Sequence, residues 1–167
     1  LFPFSDTDQT DLETGLTDGL LTRLAAQGPL PKIMYVSTSS EYWGGHGALV
    51  HTDLTGTSDL DSPEAVRIYI LGGMQHAVGG LPLADIDAEG VHTQQLFHCL
   101  DYRPLLRAAL VNLDRWVTSG QAAPPSQHPR IADGTAVSPE TVFKTLETIP
   151  GVKTPAHPRR FTRLDFG

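Results

Sequence analysis

Cys99 is the only cysteine in the 167-residue sequence. A lone thiol excludes an intrachain disulfide and any zinc site built on paired cysteines. Its apolar setting, Phe97-His-Cys-Leu100, predicts a small core residue. Positive charge is also scarce. Twelve Lys and Arg face nineteen Asp and Glu, for a formal charge of −7. That balance excludes a nucleic-acid partner, which needs clustered cations for the phosphates. The one basic cluster, Arg159, Arg160 and Arg163, reads as a solvated tail. No apolar run approaches the roughly 20 residues of a membrane span, and no signal peptide is visible. The compartment stays open. The sequence starts at Leu1 rather than methionine, in what reads as an ordered segment, so further chain upstream is expected.

Paired metal ligands are missing as well. His46 and His51 lie five apart, a spacing that does not align two ligands on one helical face. His92 and His98 flank the approach to a long helix, and His128 and His157 sit beside prolines. Asp6-Thr-Asp8 resembles the start of a calcium loop, but Asp11 stands where that loop needs glycine and Thr17 where it needs Glu. No metal or cofactor is expected.

The remaining composition, 40% hydrophobic and 19% charged, is that of one folded domain. After an acidic, turn-rich approach, residues 19–27 predict a helix capped by Thr17 or Asp18 and ended by Gly28. Residues 32–38 and 66–71 are consecutive apolar runs, as expected for strands buried on both faces of a parallel sheet. A short helix within residues 44–53 and an acidic loop over 54–63 separate them, giving a crossover connection. A glycine-rich loop occupies 77–90. The strongest helix spans 104–118, with Pro104 in its first turn, Gly120 beyond its end, and Leu106, Ala109, Leu110, Leu113, Trp116 and Val117 as its apolar stripe. Residues 122–129 form a proline-rich connector and 131–137 predict a short edge strand. A helix capped by Ser138 begins at Pro139 and runs to about residue 148. The fold class is α/β: a mostly parallel sheet flanked by helices.

Each predicted parallel strand stops at one ionisable residue, Glu41 after the first and His76 after the second. A histidine can accept a hydroxyl proton at neutral pH, and a carboxylate beside it fixes its tautomer and steadies the imidazolium. The order acid then histidine, from the carboxyl ends of parallel strands, is that of hydrolases built on such sheets. Glycines 72 and 73 allow the sharp turn that carries His76 over the sheet edge. Asp53, ending the His51-Thr-Asp53 turn, competes with Glu41 for the acid role. Tyr42 and Trp43 read first as packing residues, and beside Glu41 they would also supply apolar cover for a carboxylate–imidazole contact. One element is missing: the sequence holds no Gly-x-Ser-x-Gly elbow to supply a nucleophile.

Ser40-Glu-Tyr-Trp43, His51-Thr-Asp53, Gly73-Met-Gln-His76, Asp101-Tyr-Arg-Pro-Leu-Leu-Arg-Ala-Ala-Leu110 and Phe4-Ser-Asp-Thr-Asp-Gln-Thr-Asp11 occur in this order. Over residues 4–137 the chain thereby resembles a bacterial family of "alpha/beta hydrolase domain" proteins, in its carboxyl-terminal part. The resemblance implies a single domain over residues 1–167 that is the later portion of a larger α/β-hydrolase domain. It also implies a serine nucleophile upstream, Glu41 as acid and His76 as base, with a small ester-type substrate and no cofactor. The chain alone is expected to be inactive, and its partner would be the upstream half of the same domain.

Two other readings remain open. A non-catalytic structural or interaction domain would hold Glu41 and His76 more than about 6 Å apart. A self-contained enzyme would instead use Ser39 or Ser40 as nucleophile, which requires one of them within reach of His76.

Overall fold

The computed structural model describes residues 3–156 except His46 and Ala88. His46, His157 and the basic tail, Arg159, Arg160 and Arg163, lie outside the described residues. The centre of the fold is a parallel pair, β3 (Ile33–Thr38) and β4 (Val66–Leu71), in register from Ile33 opposite Val66 to Thr38 opposite Leu71. Ile33-Met-Tyr-Val36 and Val66, Ile68 and Ile70 supply the β-branched and aromatic residues that suit a pleated, half-buried surface. Val66 and Ile68 are buried and form the core with Leu21, against which Leu30, Ile33, Tyr35, Val50 and Ile70 pack.

Two smaller strands, β1 (Gln9–Thr10) and β2 (Thr17–Asp18), pair antiparallel near the amino terminus. This segment is tied to the core by the Tyr35 hydroxyl, which donates to Asp6 at 2.7 Å. Burial raises the Asp6 pKa and pushes Tyr35 up past its ordinary range. Asp11 meanwhile accepts from the Thr14 hydroxyl at 2.6 Å. These aspartates serve turns and packing, and among the described residues no acidic or histidine cluster could hold a metal.

The first helix is much shorter than the sequence predicts. Thr17 and Asp18 are extended in β2, so neither caps it, and α1 covers only Thr22–Ala25. The amides of Leu20 and Leu21 donate to the carbonyls of Ser5 and Asp6, which holds the chain out of helical geometry until Thr22. The long helix α3 spans Arg103–Ser119 and ends at Gly120, whose φ of 73° is the left-handed cap. It lies against β3 and buries Trp116, whose ring receives Lys32 Nζ at 4.7 Å and the Arg67 guanidinium at 4.5 Å. Such contacts favour the ring quadrupole. The rest of the predicted stripe is uneven: Leu106, Leu110 and Val117 remain exposed.

The predicted edge strand at 131–137 is a turn instead. Asp59 accepts the amides of Ile131 and Ala132, both at 2.9 Å, and Gly134 adopts φ 73°. The proline-rich connector takes the sheet position. Gln127 donates to the Ile68 carbonyl at 2.8 Å and accepts from the Ile70 amide at 2.9 Å, a parallel bridge beside β4. Pro124, Pro125 and Pro129 lack the amides to extend it. No described strand pairs with the other edge of β3. The last helix, α4 (Pro139–Leu146), is capped by Ser138, which accepts from the Thr141 amide at 3.3 Å. The described architecture is α/β, with a parallel pair at its centre and α3 packed against β3.

Cys99 is exposed rather than in the core. It follows the irregular loop after β4.

Candidate active site

The strand β3 turns directly into α2 (Ser39–Gly44), and Thr38 is the residue at the corner. Thr38-Ser-Ser-Glu41 forms a capping box, with Thr38 accepting from the Ser40 amide at 3.2 Å. Glu41 closes the box from the other side. Its Oε2 accepts from the Thr38 amide at 2.7 Å and from the Thr38 hydroxyl. That division leaves Oε1 free of the cap, and it meets Nδ1 of His76. Glu41 is therefore fixed by its own backbone three residues away before it reaches the imidazole.

His76 comes from the turn after β4, where Gly73 takes φ 74°, a conformation that favours glycine. Three groups pin this turn. Ser39 Oγ accepts from the Gly73 amide at 2.8 Å, and Ser40 Oγ accepts from the His76 amide at 3.0 Å. The Tyr102 hydroxyl, just before α3, donates to the His76 carbonyl. A second clasp follows: the Gln75 amide donates to Nε2 of His98 at 3.2 Å, and the His98 amide donates to Oε1 of Gln75 at 3.3 Å.

These anchors matter because the His76–Glu41 contact is not buried. The side chains are 83% and 38% exposed, and solvent screens an ion pair so exposed, which leaves it little hold of its own. The predicted shield is absent. Trp43 stacks on Phe143 at 5.5 Å, and Tyr42 stacks on His51 while sharing a 3.0 Å hydrogen bond with its Nε2. Both rings join α2 to its neighbours, so neither covers the pair. His51 is fully buried, lies 4.4 Å from the His128 ring, and is pushed down to about 4, first by burial and then by His128.

The electrostatics follow from the hydrogen bonds. Burial alone would raise the Glu41 pKa, but the bonds from the Thr38 hydroxyl, His76 and the Thr38 amide overcome it and pull it to about 2. The hydrogen bond and charge of Glu41 raise His76 above its usual value. A raised histidine favours the folded state fully below its unfolded pKa, and that contribution is lost as pH rises through the folded value. For Glu41 the sense is opposite: its contribution is present above the unfolded value and is lost as pH falls towards 2. An NMR titration is expected to place the His76 ring above an ordinary histidine and to return it to the ordinary histidine range in Glu41→Gln. An unchanged midpoint in that variant would contradict the contact.

With Glu41 on Nδ1, the proton belongs there and Nε2 carries the lone pair. Among the described residues none hydrogen-bonds to Nε2. Ser39 and Ser40 reach the turn's amides rather than the ring. Asp53, the competing acid, is engaged in its own loop, accepting the amides of Thr57 at 2.7 Å and Ser58 at 2.8 Å as well as the Thr55 hydroxyl. Those bonds, led by Thr55, hold its pKa well below the usual carboxylate range. The structure thus brings together Glu41 and His76 and leaves Asp53 with a different task. Thr38, Tyr102, Gln75 and His98 are contributors that the sequence reading missed. Only Thr38 carried a visible signal, the Thr-x-x-Glu spacing.

The family described as "Alpha/beta hydrolase domain" matches residues 5–159. The chain belongs to this alpha/beta hydrolase domain family. The match extends beyond the resemblance read from the sequence, taking in α4 as well. No curated protein and no solved structure matches the chain. Family membership agrees with the α/β order of elements. Among the described residues of this hydrolase domain, no helix is long and apolar enough to cross a membrane.

Proposed function

We infer that this chain supplies the base and acid of a serine hydrolase, with His76 as base and Glu41 as the residue that orients it. The observation that carries this reading is the division of the Glu41 carboxylate, one oxygen in the helix cap and the other on Nδ1. Nε2 then removes the proton from a serine hydroxyl as that oxygen attacks an ester or related acyl carbonyl. Glu41 steadies the imidazolium, which next protonates the leaving group. Water resolves the acyl intermediate by the same route in reverse.

The serine and the oxyanion donors belong to sequence upstream of these residues, in the same domain. Three features support that division. No Gly-x-Ser-x-Gly elbow occurs in the sequence. The outer edge of β3 has no described partner strand. Leu105, Leu106, Leu110, Val111 and Val117 of α3 are exposed, more apolar surface than a finished helix face leaves to water. An upstream half packed on this edge and face would also cover the open His76–Glu41 contact. That cover strengthens the pair by lowering the local dielectric.

A fluorophosphonate probe tests the assignment. This chain alone should stay unlabelled, and the protein extended upstream should be labelled on an upstream serine. Labelling of Ser39 or Ser40 would favour a self-contained enzyme. The strong exposure of His76 favours a second reading, an interaction domain of hydrolase-like fold without catalysis. On that reading the extended protein stays unlabelled too.

A further inference from the structure

The loop after His76 is not an open coil. Residues 77–87 and 89–98 fold back on each other as an irregular hairpin, with Ile86 bridged to His92 and the Phe97 amide donating to the Ala84 carbonyl at 2.8 Å. Its base is closed by the Gly79 amide on the His98 carbonyl at 2.9 Å. A Cβ built on Gly79 would stand 2.8 Å from Cβ of Phe97, so the two strands approach as closely as glycine permits. The Asp87 carboxylate organises the tip, accepting from the Glu89 amide at 2.9 Å and the Val91 amide at 2.8 Å.

Between this hairpin and His76 lies a cleft of about 380 Å³. Its lining includes Ala77, Val78, Ala84, Ile86 and Phe97 together with His76, Asp87 and Glu89. The volume is near the low end for small-molecule sites. The lining is mostly apolar, and its two carboxylates, Asp87 and Glu89, are both negative. Glu89 is near enough for its charge to add to the upward push on His76.

We propose that this cleft is the substrate subsite beside His76, taking a short apolar chain or single ring of a neutral or cationic ester and rejecting one with a carboxylate at its far end. The proposal rests on the hydrolase reading above for the ester, but on the cleft itself for size and charge. An apolar chain gains by leaving water for the Ala84–Phe97 wall. A second carboxylate would meet Asp87 and Glu89, with no lysine or arginine among the lining residues to receive it.

Binding can be read without turnover. Methyl NMR spectra of this chain are followed while ethyl hexanoate, hexanoylcholine or monoethyl adipate is added. The first two are expected to shift the Ala77, Val78, Ala84 and Ile86 methyls, and monoethyl adipate to do so at least about tenfold more weakly. Ala84→Trp fills the cleft and should remove the shifts; Val78→Trp does the same if the first variant folds poorly. Glu89→Gln, an exposed change, should narrow the gap between neutral and anionic esters by roughly two- to fivefold. Equal affinity for the three esters, shifts confined to other methyls, or full binding by both tryptophan variants would overturn the proposal. His76→Ala separates the two ideas. If binding persists while that variant of the extended protein keeps its turnover, the triad reading fails and the cleft remains.

Discussion

In the protein extended upstream to carry the serine, His76→Ala is expected to lower kcat by about 10⁵–10⁶-fold. The groups of a triad act as a unit, so loss of the base leaves only substrate binding and oxyanion stabilisation. Glu41→Gln is the more informative partner. Glutamine at this helix position still completes a capping box, since it too can accept from the Thr38 amide. The strand–helix corner should therefore survive, with a stability change within about 1 kcal/mol. The imidazole, however, loses the carboxylate that sets its tautomer and balances its positive charge. A fall in kcat of about 10⁴-fold is expected, with KM nearly unchanged. A loss of less than about tenfold in either variant, measured with folded protein, would remove His76 and Glu41 from the chemistry.

The largest effect on stability is expected at Trp116. Its side chain is the one large residue of α3 that is buried, and its ring meets Lys32, just before β3, and Arg67 of β4. Truncation to alanine removes this contact and leaves Lys32 and Arg67 without the ring that they flank. Such deletions cost about 3–5 kcal/mol, a large share of the stability of a domain this size. Urea denaturation of Trp116→Ala should show a loss in that range or a chain already unfolded in buffer. Val117→Ala is the control. Val117 is 62% exposed, so the same measurement should move by no more than about 0.5 kcal/mol. A small effect at Trp116 would mean that α3 is held by something other than this anchor.

The parts of the fold that were legible in the sequence are those fixed by local pattern. Ile33-Met-Tyr-Val36 and Val66-Arg-Ile-Tyr-Ile-Leu71 read as strands because β-branched and aromatic residues run together, and they form a parallel pair. Proline near its start and glycine after its end bracket α3 within one residue of expectation. The failures have distant causes. Residues 131–137 look like an edge strand until Asp59, more than seventy positions earlier, claims two of their amides. The first helix looks continuous until the carbonyls of Ser5 and Asp6 take the amides of Leu20 and Leu21.

The candidate site divides in the same way. Glu41 and His76 stand out because each interrupts an apolar run at a strand end. Asp53 could be set aside only in three dimensions, where Thr55, Thr57 and Ser58 occupy its oxygens. Tyr42 and Trp43 adjoin the acid in sequence, yet the helical turn of α2 directs them to His51 and Phe143. Tyr102 and the Gln75–His98 clasp left no trace in local pattern, since their partners lie more than twenty residues away.

The two halves of the acid–base pair are thus set by contacts of very different range. Glu41 acquires its orientation within a single strand–helix corner, through a neighbour three positions back. His76 depends on Ser40 thirty-six residues before it and Tyr102 twenty-six after. Closing long loops is the slower and more easily disturbed event. As the chain folds, the carboxylate is ready first and the imidazole arrives later. Changes in the hairpin or at the start of α3 can therefore displace the His76 ring while leaving the Glu41 carboxylate in position.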